Sequence, residues 1–368
     1  MIQWRSGRVV SLGRAWPGAV ELRVRLDAPA GTGNDVRSEV RALAYPALVG
    51  EPQPGQRVLL NVNALALGLG TGGYALVVAL PDDLPPDAPP GPGHLVKARY
   101  TPLQTAVLGV DEQDSPHHAA IGAADGIDAM PVVVADLHSA LPAVLAGIRA
   151  DRPDLRVAYV LTDGGALPLW FSRTVPALGE QLCGTVSVGQ SFGGDLEAVT
   201  VHTGLLAARH VLRADVAIVT QGPGNLGTGT PWGFSGVAAG ETINAVGALG
   251  GRAVGALRIS GADPRERHRG VSHHSATAFG RVALAPADLV VPEGLDAELD
   301  AQVRADLAAL PPRHRVVRVA ADGLLAALRA SPAPLSTMGR SLEQDPAYFL
   351  AAAAAGRHAA ALAGRSGG

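Results

Sequence analysis

"ADVAIVTQGPGNLGTGTPWGF", Ala214 to Phe234, joins a short apolar run to a loop with glycine at 222, 224, 227 and 229. Gly236 then opens "GVAAGETINAVGALGG", whose composition is that of a helix. A buried strand, a glycine loop and a helix make one βα unit, and such units build parallel sheets. Backbone with so few side chains lets amide groups approach a ligand closely. An anion at the start of a helix is the ligand this arrangement favours.

The same grammar recurs on both sides. "PVVVADLHSALPAVLAGIRA", from Pro131, is a β-branched run followed by an amphipathic helix. "RVAYVLTDGG", "GTVSVGQSFGGD" and "GRAVGALRISGADP" are further strands ending in Gly, Asp or Ser, and "HRVVRVAADG" adds a late one. "DPAYFLAAAAAGRHAAALAG" closes the chain as a helix, with Asp345 at its N-cap and Pro346 at its first position. The expected fold class is α/β, a Rossmann-like, largely parallel sheet with helices on both faces, over residues 94–368.

The first 80 residues follow a different period. In "VELRVRL", Val20, Leu22, Val24 and Leu26 share one face, and Glu21, Arg23 and Arg25 the other. Five or six such short strands predict a small antiparallel β-barrel or sandwich over 1–80. "PDDLPPDAPPGPG", Pro81 to Gly93, holds six prolines and reads as a linker.

Composition excludes several classes. The chain has 368 residues, 47% of them hydrophobic, and a formal net charge of −3, so no basic field calls for nucleic acid. No apolar run reaches the roughly 18 residues that span a bilayer, and the N-terminus has no signal-peptide pattern. Cys183 is the only cysteine, which rules out an internal disulfide framework and reads as an inert core thiol. The expected location is the cytoplasm, with a homo-oligomer compatible with the sequence. Lys97 is the only lysine among 30 basic residues. Arginine serves for ordinary surface charge, so a retained lysine points to a position that needs a compact amine.

In an open parallel sheet, ligands sit outside the carboxyl ends of the strands. The polar and glycine residues expected there are Asp163, Gly164, Gly165, Gln190, Gly193, Gly194, Asp195, Gln221, Gly222, Gly224, Asn225, Gly227, Thr228, Thr230 and Arg258. In "GPGNLG" the first glycines miss the dinucleotide spacing, no P-loop lysine follows, and "RAVGALRIS" ends in Ser260 rather than an acidic residue. The loop therefore signals close approach without naming a nucleotide, and the cofactor is unknown. "GHLVKARYTPLQ" offers Lys97 and Arg99 as cations. "DPRERHRGVSHHSATA" supplies His268, His273 and His274, of which the two neighbours cannot share a helix face. His273 or His274 is expected to fold back over the glycine loop as an acid–base group.

Two enzyme patterns are incomplete. Gly189, Ser191 and Gly193 fill G-x-S-x-G at a strand end, making Ser191 a candidate nucleophile, but "GGD" delays any helix. The order Asp136-x-His138, "GGD", "GN" is similar to that of metallophosphoesterases. It departs from that family because Leu226 replaces the histidine after "GN" and the terminal "GHxH" is missing. No metal site is expected, and Asp136 reads as a cap with His138 as a core or surface side chain.

Taken together, "GHLVKARYTPLQ", "GQSFGGDLEAV", "TQGPGNLGTGT" and "GVSHHSATA" resemble an uncharacterised bacterial family, a domain of unknown function of this length. The resemblance covers most of the chain and implies no activity and no substrate. It implies that the four segments belong together. The functional reading is a protein that binds a small anionic metabolite at the carboxyl ends of the strands, with or without turning it over. The alternatives are a regulatory protein using the β domain as a partner module, and a serine or metal-dependent hydrolase.

Overall fold

A computed structural model describes residues 2–31, 36–69, 72–87, 89 and 91–363. The chain divides into two compact units, Met1–Gly91 with Ala98–Ala106, and Pro92–Lys97 with Val107–Gly368. Within Pro81–Gly93 the described residues form neither helix nor strand, and Ala88 and Pro90 lie outside the described residues.

The first unit is a closed barrel of five strands, β1 (Trp4–Trp16), β2 (Ala19–Ala30), β3 (Arg37–Ala44), β4 (Arg57–Asn61) and β5 (Ala75–Ala79), in the order β1-β2-β3-β5-β4. The period-two reading of β2 holds: Leu22, Val24 and Leu26 are buried, while Arg23 and Arg25 are exposed. All pairs are antiparallel except β3 with β5. Closure leaves no unpaired sheet edge.

The second unit carries an eight-stranded sheet in which every neighbouring pair is parallel. Its strands are β6 (Pro131–Val134), β7 (Val157–Thr162), β8 (Gly184–Ser187), β9 (Leu196–Glu197), β10 (Val216–Gln221), β11 (Arg252–Ala256), β12 (Asp288–Pro292) and β13 (Arg315–Val319). Their order is β9-β8-β7-β10-β6-β11-β12-β13. Both faces of the inner strands are buried, which is why they read as unbroken apolar runs, while β13 at the edge is largely exposed. Val132 and Val134 point into one core, and Val133 into the other.

Helices cover both faces. α1 (Leu141–Asp151) follows β6 and packs into the core that holds Val133. α2 (Val201–Leu206) follows β9, and α3 (Ala238–Ala248) follows β10, into the core that holds Val132. α4 (His273–Thr277), α5 (Ala297–Ala308) and α6 (Leu324–Arg329) lead to α7 (Pro346–Ala363), the predicted closing helix. Rather than covering the surface, α7 lies in the core, with Ala351–Ala355 all buried. Its alanines let it press against α1: a Cβ on Gly147 would meet the Ala353 carbonyl, and one on Gly356 would meet that of Val144. No helix among the described residues is long and apolar enough to cross a membrane.

Candidate functional site

β6 and β10 are neighbours, yet their following helices leave toward opposite faces. Strands whose crossovers diverge open a crevice at their carboxyl ends. Here Asp136 stands just past β6, Gln221 ends β10, and Arg258 lies just past β11. β11 pairs with β6 rather than β10, so "ADVAIVT" and "RAVGALRIS" are not neighbours: β6 lies between them.

A short antiparallel pair, Ile259–Ser260 with Gly270–Val271, folds the histidine segment back against the end of β11. Ser272 N donates to the Arg258 carbonyl at 2.8 Å, and Arg258 N donates to Ser275 Oγ at 2.9 Å. Ser272 caps α4, its Oγ accepting from His274 N at 3.2 Å, and also pairs with His268 Nδ1 at 2.7 Å. One buried hydroxyl thus fixes both the start of the helix and one imidazole.

The three imidazoles pack against one another. Ring centroids lie 4.8 Å apart for His268–His273, 5.0 Å for His268–His274 and 4.4 Å for His273–His274. The expectation that at most one of the adjacent pair would face a common site does not hold. The rule of separate faces applies along a regular helix, whereas these residues open a five-residue one. Phe234, at the far end of the glycine loop, stacks on His274 at 3.9 Å and meets His273 edge-on at 5.9 Å. The histidine segment therefore meets the loop through Phe234, a contact residue that aromatic content alone did not mark.

Charges ring the cluster. Asp136 Oδ2 lies 3.5 Å from His274 Nδ1 and makes no hydrogen bond, and His273 Nε2 is likewise buried without a partner. Arg258, only 3% exposed, reaches Asp263 Oδ2 at 3.4 Å and His274 Nδ1 at 3.5 Å, both long contacts. Arg265 and Arg340 grip the same Asp263 carboxylate at 2.8 and 3.0 Å. Burial opposes ionisation of Asp263, yet these guanidiniums hold it far below the usual carboxylate range. Asp345 accepts from Ser260 at 2.7 Å and from Arg340 at 3.0 Å, so it braces the network besides preceding α7. Burial, and then the neighbouring cations, lower His268 to about 3 and His273 to about 4.

The glycine loop divides into tied and open parts. Gln221 Nε2 donates to the Asp136 carbonyl at 2.7 Å and to Asn225 Oδ1 at 2.8 Å, while Ser235 Oγ donates to the same Asn225 oxygen. Gly222 packs on Ala166, Gly165 on Gly222, and Gly164 on Gln221, so these glycines serve close packing between β7 and β10. Thr228 and Thr230 bond each other at 3.1 Å in an exposed turn. Gly224 has φ +91° and open space around it; Gly227 has ordinary contacts only. Among the described residues, the amides of Gly224, Asn225 and Gly227 have no hydrogen-bond partner. Leu226 and Trp232 are exposed on this loop, with Arg281 4.1 Å over the Trp232 ring.

A second group sits at the ends of β7, β8 and β9, two to four strands from β6, or ~10–19 Å at the usual strand spacing. Lys97 is fully buried there, donating to the carbonyls of Gly189 at 2.9 Å and Ala198 at 3.0 Å, with Glu197 Oε2 at 3.3 Å. Burial lowers the amine and pushes the Glu197 carboxyl up to about 7. Asp163 accepts from Gln190 N, Gly193 N donates to Glu197, Gly194 packs on Ser187, and Asp195 accepts from Thr185. Ser191 is fully buried, and its Oγ has no partner. Arg99 belongs to the first unit, beside the Tyr100 ring. His138 is a core residue between Tyr159 and Ser172, and Asp136 caps no helix. Cys183 is half-buried against the core, and burial raises its thiol.

A cavity of about 500 Å³ opens at the amino ends of β11 and β12 instead. Its charged groups are already engaged, Arg315 with Asp288 and Arg313 with the carbonyls of Gly280 and Ala283. Buried polar atoms of Asp136, Ser191, Gln221 and His273 that lack hydrogen-bond partners lie at or beyond the carboxyl ends, which marks these ends as the candidate site.

The chain belongs to a family described as a protein of unknown function (DUF3866), whose model matches residues 41–356. No curated protein matches it.

Proposed function

We propose, for this member of a family of unknown function, that it binds a small anionic metabolite at the carboxyl ends of β6, β10 and β11. The observation that carries the reading is Arg258, a buried guanidinium with only long side-chain contacts, linked through His274 and Phe234 to a loop in which the amides of Gly224, Asn225 and Gly227 lack partners. Arginine presents five donors in a fork that matches carboxylate and phosphate. Helix α3 begins close after the loop and adds its positive end. A cytoplasmic location accompanies this reading, supported by the single cysteine.

The test uses thermal unfolding of the full chain with inorganic phosphate and with a small dicarboxylate. A ligand at 100 times its Kd adds about 2.7 kcal/mol and raises Tm accordingly. Gly227→Val is the informative variant, because an added Cβ there meets nothing closer than 3.9 Å and its backbone needs no positive φ. It should keep the unliganded Tm and lose the ligand-induced rise. No rise in the parent protein with either anion, or an equal rise in the variant, rejects the reading. Incubating the stabilising anion with the protein and assaying its disappearance separates an enzyme from a non-catalytic binder.

A further inference from the structure

We propose that His268, His273 and His274 together hold a zinc ion, each through one imidazole nitrogen. This goes beyond the anion reading and stands whether or not an anion binds. One ring nitrogen from each histidine lies within 4.8 Å of the others. Tetrahedral zinc with Zn–N bonds of about 2.0–2.1 Å needs its ligand nitrogens ~3.4 Å apart, so side-chain rotations of about an ångström close the set.

The remaining ring atoms are arranged as a metal site requires. His268 Nδ1 is engaged by Ser272 Oγ, which leaves Nε2 for the ion. His274 Nδ1 lies 3.5 Å both from the Arg258 guanidinium and from Asp136 Oδ2, a buried carboxylate oxygen with no hydrogen bond of its own, so protonating it exchanges the long Arg258 contact for one to Asp136. A proton on that Nδ1 gives the oxygen its partner and turns Nε2 into the ligand atom, the carboxylate–histidine–metal relation found around zinc. His273 Nε2 is buried with nothing to bond. A purely packed cluster of three neutral imidazoles leaves these atoms unsatisfied; a metal ion satisfies His273 directly and Asp136 through His274.

Nitrogen donors select zinc over magnesium or calcium, which take oxygen. The charge environment does not forbid a cation, because Arg258, Arg265 and Arg340 share the carboxylates of Asp263 and Asp345, and Asp136 adds a third. Three protein ligands leave a fourth position for water or an anionic group, as in zinc sites that do chemistry. Phe234 shields one face of His274.

The full chain, stripped by chelator and free of added anion, is titrated with cobalt(II) and then zinc(II). The expected result is one equivalent of cobalt, giving the visible d–d absorption of tetrahedral nitrogen coordination, displaced by one of zinc. His273→Gln, chosen because its Nε2 holds no structural bond, should weaken zinc at least about 10-fold while far-UV circular dichroism stays unchanged. Asp136→Asn should weaken it about 10- to 100-fold. Replacing His117 and His118, which lie outside the cluster, should leave it unchanged. Absence of stoichiometric binding overturns the proposal, as does a folded His273→Gln with parental affinity or binding that follows His117 and His118. If His273→Gln does not fold, the parental cobalt spectrum decides: no tetrahedral absorption at one equivalent overturns it.

Discussion

At the scale of single residues, two buried ionisable groups make measurable demands. His138 is 8% exposed, bonded to Tyr159 OH at 2.9 Å and Ser172 Oγ at 2.8 Å, and burial lowers its pKa to about 4. The unfolded chain takes up this proton near pH 6.5, before the folded one does. The histidine's contribution is therefore complete above about pH 6.5 and is lost as pH falls toward 4, by roughly 3 kcal/mol in all. Urea unfolding of the parent and His138→Gln should give a stability difference that shrinks across that window; a difference independent of pH would contradict the buried neutral imidazole. Lys97 shows the opposite economy, a buried amine held by Glu197 and two carbonyls. Lys97→Met leaves Glu197 buried without its cation and should cost about 3–5 kcal/mol, whereas Lys97→Met with Glu197→Leu should recover much of it. Equal losses in the single and double variants would show that the two side chains are not coupled. Lys97 could be singled out from the sequence because it is the only lysine; that its amine is spent on carbonyls could not, because Gly189 and Ala198 lie about a hundred residues away.

Among the elements, the contact between α1 and α7 is the least forgiving. Gly147 and Gly356 each face the partner helix's backbone, and the alanines between them allow that approach. Gly147→Val drives a branched side chain into the Ala353 carbonyl, and overpacking of this kind costs about 1–3 kcal/mol or more. Its Tm should fall by several degrees, while the same substitution at Gly250, where nothing lies within 4 Å but φ is +66°, reports backbone strain alone. A Gly147→Val protein as stable as the parent would mean that the helices separate freely. The helices themselves were legible as apolar periods. Their close crossing was less so, because alanine-rich sequence marks a helix without saying which partner it approaches. The pair Ile259–Ser260 with Gly270–Val271 is the other element hidden from sequence, since two-residue strands are too short to show a period.

Over the whole molecule, the βα grammar after residue 130 and the alternation before residue 80 determined a parallel α/β sheet and a β-barrel. Strand and helix identities follow from local apolar periodicity, which sequence carries directly. The same grammar located the carboxyl ends of the strands, and so Asp163, Gln221, Asn225 and Arg258, as places where polar side chains gather. Tertiary structure alone decided which of these meet. It inserted β6 between β10 and β11, sent Lys97 and Asp163 to one group and Arg258 to another, and brought Asp345 across 85 residues to Ser260. It also gathered three histidines, of which one of the adjacent pair was expected over the glycine loop and none at a metal, into one packed cluster beside Asp136. The reason is that a site is a coincidence of chain segments far apart in sequence. Strand order and crossover direction fix that coincidence, and both are set by the packing of whole elements rather than by the residues that end up in the site.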